Sequence, residues 1–353
     1  MGQPEINISF KKLAETAQIR SARGVACIIL KDDIVAGKYT YTRKKQIKDK
    51  YTADNLFLLQ DGFDKYGVNT IVVYSISGED TLDNALKALR KVEINYLACN
   101  WEVAEEENVK LKAFKEDRAK LNMDLQIVGT NTANDKFFID FVSTGIKVND
   151  KAIQTYTFNC KLAFILASLS MTESATYYVL NDVTACDDIE DEDATVEAGK
   201  MFITFDGEKY KLSRAVNSMT TLGADDKPCM KKIKIVEGSL LVKGDIYKVF
   251  RDNYVGKNNN DYNSRIKFIA EVNRYLDNLA LEGILNTDAK NYVELDIEAM
   301  RDYMEDECGV DTSKMKDIDI LKDVDGYCGS RIFLKGNIRF IDAMEDMDLV
   351  LFY

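Results

Sequence analysis

At 353 residues and 46% hydrophobic composition, the chain is long enough for two domains with sizeable cores, and with only two prolines and no Ser/Gly-rich stretch it lacks a long flexible linker. Its formal net charge of −12 argues against a phosphate-backbone binder, which needs a basic face. The complete absence of histidine excludes Ser-His-Asp and Cys-His catalysis and every His-containing zinc site.

Ile6, Ile8 and Phe10 alternate with Asn7 and Ser9, the period-2 pattern of a strand with one apolar face. This strand precedes any domain core, as though built to pair elsewhere. From Gly24 onward strands and helices alternate. Val25 to Leu30 is a continuous apolar run, expected of a strand buried on both faces. A helix is predicted over Ala53 to Tyr66, a strand over Thr70 to Ile76, and a helix with Leu82, Ala85, Leu86 and Leu89 on one face. The strand Ile94 to Cys99 completes a βαβ unit, so its two strands are expected to be parallel. A charged helix over Glu105 to Leu121 then leads to strands at Leu125 to Gly129 and Phe137 to Val142. Phe158 to Leu169 reads as a buried helix and Thr176 to Leu180 as a further strand. Met201 to Phe205 and Lys209 to Ser213 flank Asp206-Gly207, a hairpin signal.

A second region is expected from about Pro228, with a strand at Ile233 to Val236 and a helix from Leu240 to Tyr254. The next helix starts near Asn263 or Ser264, carries Ile266, Ile269, Leu276 and Leu279, and stops at Gly283. Another amphipathic helix covers Asp296 to Glu307. Strands at Arg331 to Leu334 and Ile338 to Ile341 are expected to form a hairpin across Gly336-Asn337, and a last strand covers Leu349 to Tyr353.

Neither a GxxxxGK[ST] loop nor a GxGxxG after a strand is present, so no cofactor or nucleotide is expected. The run Asp187-Asp188-Ile189-Glu190-Asp191-Glu192-Asp193 lacks the ligand spacing of a calcium loop and reads as a solvated helix start, and Asp317, Asp319, Asp323 and Asp325 match no such loop either; no metal site is expected. Trp101 and Phe114 read as core or interface packing. The seven cysteines form no CxxC pair, which suits a reducing cytosol. No signal core and no apolar run near the ~18 residues of a membrane span is evident, so the chain is expected to be cytosolic when made and to leave the cell, if at all, by lysis. Charge is uneven: residues 282–353 hold 18 acids against 8 bases, while residues 227–257 hold 8 bases against 3 acids. These are either solvated surfaces or complementary faces for neighbouring subunits.

Several segments carry a resemblance. Gly2-Gln3-Pro4-Glu5-Ile6-Asn7-Ile8 with Arg20-Ser21-Ala22-Arg23-Gly24-Val25 resembles the amino-terminal region of contractile tail sheath proteins from phages and defective prophages of Firmicutes. Ser174-Ala175-Thr176-Tyr177 resembles their central motif, and Arg214-Ala215-Val216-Asn217-Ser218-Met219-Thr220-Thr221-Leu222 their R-x-V-N-[ST]-[LM]-T-T run. Asn253 to Asn259, Tyr275-Leu276 and Glu282 to Leu285 are similar to their carboxy-terminal domain, and Ile338-Arg339-Phe340-Ile341-Asp342-Ala343-Met344-Glu345 to their closing segment.

The resemblance implies an α/β domain of subtilisin-like fold followed by an α+β domain, with extended β-strand arms at both termini. The implied divisions are an arm at 1–22, the α/β domain at 23–225, the α+β domain at 226–335 and a β-arm at 336–353. Without histidine the subtilisin-like domain cannot run Asp-His-Ser chemistry, so no catalytic residue is expected. The implied function is a structural subunit that stacks in six-fold rings around an inner tail tube, meets baseplate and terminator proteins, and contracts. Its arms would pair with neighbouring subunits through Ile6, Ile8, Phe10, Ile338, Phe340, Leu349, Leu351 and Tyr353. The tube-facing candidates are Lys231, Lys232 and Lys234. The particle would be a phage tail or a phage-tail-like bacteriocin of R type, with no nucleic acid or membrane bound by the sheath itself. The competing reading, an α/β ligand-binding protein or another helical assembly protein, requires for the former a polar pocket at the strand carboxyl ends, and no sequence cluster is seen to supply one.

Overall fold

A strand apolar at every position needs cover on both faces. In the computed structural model, which describes residues 24–47, 51–129, 134–224 and 226–350, β1 (Val25–Lys31) receives it. The chain continues through β2 (Gly37–Tyr41), α1 (Ala53–Asp64), β3 (Thr70–Ile76), α2 (Leu82–Leu89), β4 (Tyr96–Cys99) and α3 (Glu105–Lys120). Then come β5 (Gln126–Val128), β6 (Phe138–Phe141), β7 (Lys147–Val148), β8 (Lys151–Ala152), α4 (Thr155–Ser168) and β9 (Val183–Ala185). A short α5 (Glu192–Glu197), β10 (Lys200–Met201), β11 (Ile203–Phe205) and β12 (Tyr210–Leu212) follow.

Seven strands make one sheet in the order β10-β6-β5-β4-β1-β3-β2. All its pairings are parallel except β2 against β3. Successive residues of β1 alternate between two cores. Ala26, Ile28 and Leu30 face Phe158, Leu162 and Ile165 of α4 with Leu58 of α1. Cys27 and Ile29 face Leu86 and Leu89 of α2 with Leu111 and Phe114 of α3. Trp101 belongs to this second core, its indole N–H donating to Glu107 Oε2 at 3.0 Å. Helices on both faces make β1, β3 and β4 interior, which is why they read as largely apolar runs. Cys27, Cys99 and Cys160 are buried, and desolvation pushes the Cys27 thiol up to about 12.

The R-A-V-N run ties the sheet to the segment after it. Asn217 is fully buried; its side-chain amide donates to Met230 O at 2.7 Å and its backbone N–H to Lys231 O at 2.9 Å. Ile233 N–H donates to Ala215 O at 3.2 Å, and Val216 bridges Lys232. Ser218 Oγ bonds Asp135 O at 2.9 Å, and its backbone N–H donates to Phe138 O. Gly199, at φ +73°, passes so close that a Cβ there would sit 2.9 Å from Asn217 O. Thr176 to Leu180 is not a ladder strand: Tyr177 adopts φ +58°, and only the isolated bridge Val179–Lys211 forms.

The compact units divide the described residues into 24–244 with 342–350, and 245–341. The division falls inside α6 (Ile233–Val249), which begins where a strand was expected over Ile233 to Val236. Ile233, Ile235, Val236, Leu241 and Val242 are all buried, and the apolar pairs spaced for a helix stripe decide against the strand. In the second unit a π turn at Phe250–Tyr254 precedes α7 (Tyr262–Leu281). Asp261 caps α7 through Ser264 N–H at 2.8 Å, and Gly283 ends it at φ +77°. Its stripe of Phe268, Ile269, Val272, Tyr275, Leu276 and Leu279 is buried; Ile266, expected on that stripe, is 40% exposed.

The unit continues with β13 (Tyr292–Leu295), α8 (Ile297–Asp306), α9 (Asp317–Lys322) and β14 (Leu334–Asn337). Gly336-Asn337 is not a hairpin turn but part of β14, which runs antiparallel to β13. Arg339 O accepts from Asn286 N–H at 2.7 Å, Phe340 bridges Leu285, and Ile341 N–H donates to Ile284 O. The carboxy-terminal stretch is therefore engaged by its own unit up to Ile341. The first residues of the arm expected at 336–353 pair with β13 and with the Ile284–Asn286 segment.

Replacing Gly199 by Ala forces a Cβ against the Asn217 backbone at an unfavourable φ. The expected loss is about 1–3 kcal/mol of stability, read as a lowered midpoint in denaturant unfolding.

Candidate functional site at the carboxy-terminal tail

Three motif segments, distant in sequence, converge on one carboxylate. Glu345 has a side chain only 5% exposed. Thr176 Oγ1 donates to its Oε1 at 2.7 Å, with Ser174 Oγ at 3.3 Å. Lys232 Nζ donates to Oε2 at 2.9 Å, and Arg214 Nε lies 3.8 Å from the same oxygen. Lys232 also pairs with Asp342 at 2.6 Å, and the Arg214 guanidinium with Asp346.

Local structure aims each donor. Ser174 Oγ accepts from Thr176 N–H at 3.2 Å, a Ser-turn that orients the Thr176 hydroxyl. That hydroxyl in turn accepts from Ala215 N–H at 3.0 Å, which leaves its proton for Glu345. The left-handed φ at Tyr177, costly for a residue with a Cβ, turns the chain immediately after Thr176, and Tyr177 N–H donates to Leu212 O. The pairing of Arg214–Asn217 with the Met230–Ile233 segment then places Arg214 and Lys232 side by side. Burial works against charge on Lys232, but Asp342 and Glu345 outweigh it and hold its ammonium above the ordinary lysine range. The hydrogen bond that Arg214 donates to Asp346, followed by the charges of Asp346 and Glu345, raises Arg214 likewise against the cost of burial.

Beyond this clamp the chain changes character. Met347, Leu349 and Val350 are 81, 65 and 72% exposed. No backbone–backbone hydrogen bond reaches residues 342–350 from the described residues. An extended apolar segment with unpaired N–H and C=O groups is a template for pairing with another chain.

The comparisons agree with the motifs. Residues 225–328 match the family described as phage tail sheath C-terminal domain. The tail sheath protein of Clostridium phage phiCD119 is 30% identical over 99% of this chain and 98% of its own length. The chain belongs to the phage tail sheath family. It is thus a structural protein of the phage tail sheath, and its mixed α/β fold matches solved sheath structures. A crystal structure of a sheath tail protein from Listeria innocua superposes with a TM-score of 0.69 at 13% identity, covering 82% of this chain and 93% of that one. The sheath complex of an extracellular contractile injection system in its contracted state gives 0.63 at 10% identity, covering 93% and 91%.

Of the interface residues expected in this sheath protein, Ile6, Ile8, Phe10, Leu351 and Tyr353 lie outside the described residues. Ile338 and Phe340 are half-buried in their own unit, and Leu349 is exposed. Of the tube-facing candidates, Lys231 is half-buried, Lys232 is committed to Asp342 and Glu345, and Lys234 donates to Thr172 O at 2.9 Å. Burial pulls the Lys234 ammonium below its usual range. Lys232 is thus held by two carboxylates and Lys234 by a carbonyl within the chain.

A polar cluster does stand at the strand carboxyl ends, where none was seen in the sequence. Asp32, just past β1, accepts from Thr52 N–H and Oγ1, Ile34 N–H and Asn55 Nδ2 at 2.8–2.9 Å. Asn100 donates to Asn55, and Thr157 to Asn100 at 3.1 Å. Burial alone would raise the Asp32 carboxyl, but these donors outweigh it and hold it below the usual range. The groups bond one another, pinning the loops over the sheet edge. Among the described residues no group of three His, Cys, Asp or Glu is placed to hold a metal ion, and no helix is long and apolar enough to cross a membrane.

Thr176→Val removes a hydroxyl donor from a buried carboxylate and should weaken the clamp by about 1.5–3 kcal/mol, read as faster limited proteolysis within residues 342–350. The raised Lys232 value dictates the pH response. Its contribution is complete below the unfolded lysine value of about 10.4 and is lost as pH rises through the higher folded value. Tail protection due to Lys232 should therefore hold through neutral and mildly alkaline pH and fall only above about pH 10.5.

Proposed function

We propose that this sheath subunit polymerises as stacked six-fold rings around an inner tail tube and contracts to drive that tube through a target cell envelope. The observation that carries the reading is the tail: clamped through Glu345, then exposing the apolar side chains of Met347, Leu349 and Val350. Leu349, with Leu351 and Tyr353 after it, would add as a strand to a neighbouring copy, and Ile6, Ile8 and Phe10 would do the same from the other arm. Ile338 and Phe340 would support the tail from within their own unit. Such a contact joins unlike surfaces, so it propagates instead of closing on itself.

Within this reading residues 23–225 form a non-catalytic subtilisin-like domain and the following residues an α+β domain, with the division near 226. Contraction is a rigid-body rearrangement in which strand links stay paired while subunits rotate and move outward. Energy stored in a metastable extended state replaces nucleotide hydrolysis. The contracted sheath complex among the structural relatives supports this mechanism by fold. Lys231, Lys232 and Lys234 are the candidates to face the tube, and baseplate and terminator proteins would close the two ends. Assembly takes place in the bacterial cytoplasm, with release by lysis in a virion tail or R-type bacteriocin particle.

Negative-stain microscopy of the full chain mixed with its cognate tube protein should show long hollow cylinders. A chain lacking residues 347–353 should give discrete particles only. Cylinders of normal length from the shortened chain would sink the strand-exchange reading.

A further inference from the structure

Residues 342–346 are held by side chains. Lys232 takes Asp342 and one Glu345 oxygen, Thr176 and Ser174 take the other, and Arg214 takes Asp346. Among the described residues no backbone ladder shares the load. The donors come from three separate segments, and the carboxylate they share is 5% exposed, so this is no solvated surface pair. One step further on, Met347 is 81% exposed. The border between held and free chain therefore falls at Asp346.

That border sets a length. If the clamp opens, five more residues join the free tail and extend its reach by about 17 Å, at about 3.3–3.6 Å per extended residue. A tether longer than its span lowers the effective concentration of the strand at its acceptor and loosens the register of the link. We propose that Glu345 is a positioning residue that pins the root of the tail and so sets the reach with which residues beyond Asp346 pair with a second copy of this chain. The inference rests on the reading that the tail pairs with a neighbour. It assigns a role to the Ser174–Tyr177 turn, to Arg214 and to Lys232: together they form the receptor for the root of the subunit's own tail.

The test compares four full-length or near-full-length chains, each mixed with the cognate tube protein. They are the unaltered chain, Glu345→Ala, a chain with five Gly/Ser residues inserted between Asp346 and Met347, and one lacking residues 347–353. The insertion leaves the clamp intact and lengthens the free tail by the same five residues. Glu345→Ala should raise cleavage within 342–346 by on the order of 100-fold while the unfolding midpoint of the unassembled subunit moves little. Glu345→Ala and the insertion should share one defect, about tenfold fewer cylinders or cylinders with blurred helical order, and the truncation should give none. The length-setting role is overturned if Glu345→Ala assembles with unchanged yield and order. It is equally overturned if the insertion assembles normally while Glu345→Ala fails, because loss of the clamp would then act through something other than slack. In both cases the pairing reading survives so long as truncation abolishes cylinders. Cylinders from the truncated chain would remove that reading and the clamp proposal together.

Discussion

A carboxylate taken out of water must be met by donors on both oxygens, and Glu345 imposes that demand on three distant parts of the chain. The turn at Ser174–Tyr177 must present a hydroxyl, the segment at Arg214–Asn217 a guanidinium, and the residue just before α6 an ammonium. Each of those parts has its own supports. Ala215 N–H fixes the Thr176 hydroxyl, buried Asn217 ties its segment to Met230 and Lys231, and Gly199 leaves room for the crossing. The family motifs are thus one construction rather than separate signatures.

The α/β unit supplies the rigidity this requires. Its parallel strands are covered on both faces, so the loops at their ends are positioned by a dense core. At the carboxyl ends, where open α/β sheets commonly take ligands, Asp32, Asn55, Asn100 and Thr157 bond one another. The fold keeps the polar groups of this crevice as internal bracing.

A sheath subunit has to be firm in itself and adhesive only through chosen edges. Firmness lies in two self-contained units. Among the described residues, Met347, Leu349 and Val350 leave apolar side chains exposed after Asp346, a short segment instead of a long exposed sheet edge, which would aggregate indiscriminately. The clamp separates the two regimes within a single residue step.

Local pattern alone determined most elements of this protein. β1, β3 and β4 read as interior strands because their runs are almost continuously apolar, and α7 reads as a helix because its stripe, its Asp261 cap and its Gly283 stop agree. The tail sheath resemblance was likewise legible, since its motifs are contiguous. Where local signals conflicted, tertiary packing decided. Ile233–Val236 is apolar enough for a strand, yet burial against the α/β core makes it the first turn of a helix. Gly336-Asn337 looks like a turn, yet β13 draws it into a ladder. The clamp was illegible for the same reason. Thr176, Arg214, Lys232 and Glu345 are separated by up to 169 residues, and no periodicity links them. Only the fold brings their charges within a few ångströms, and with that it turns the end of the strand-forming sequence into a tail rooted at Asp342.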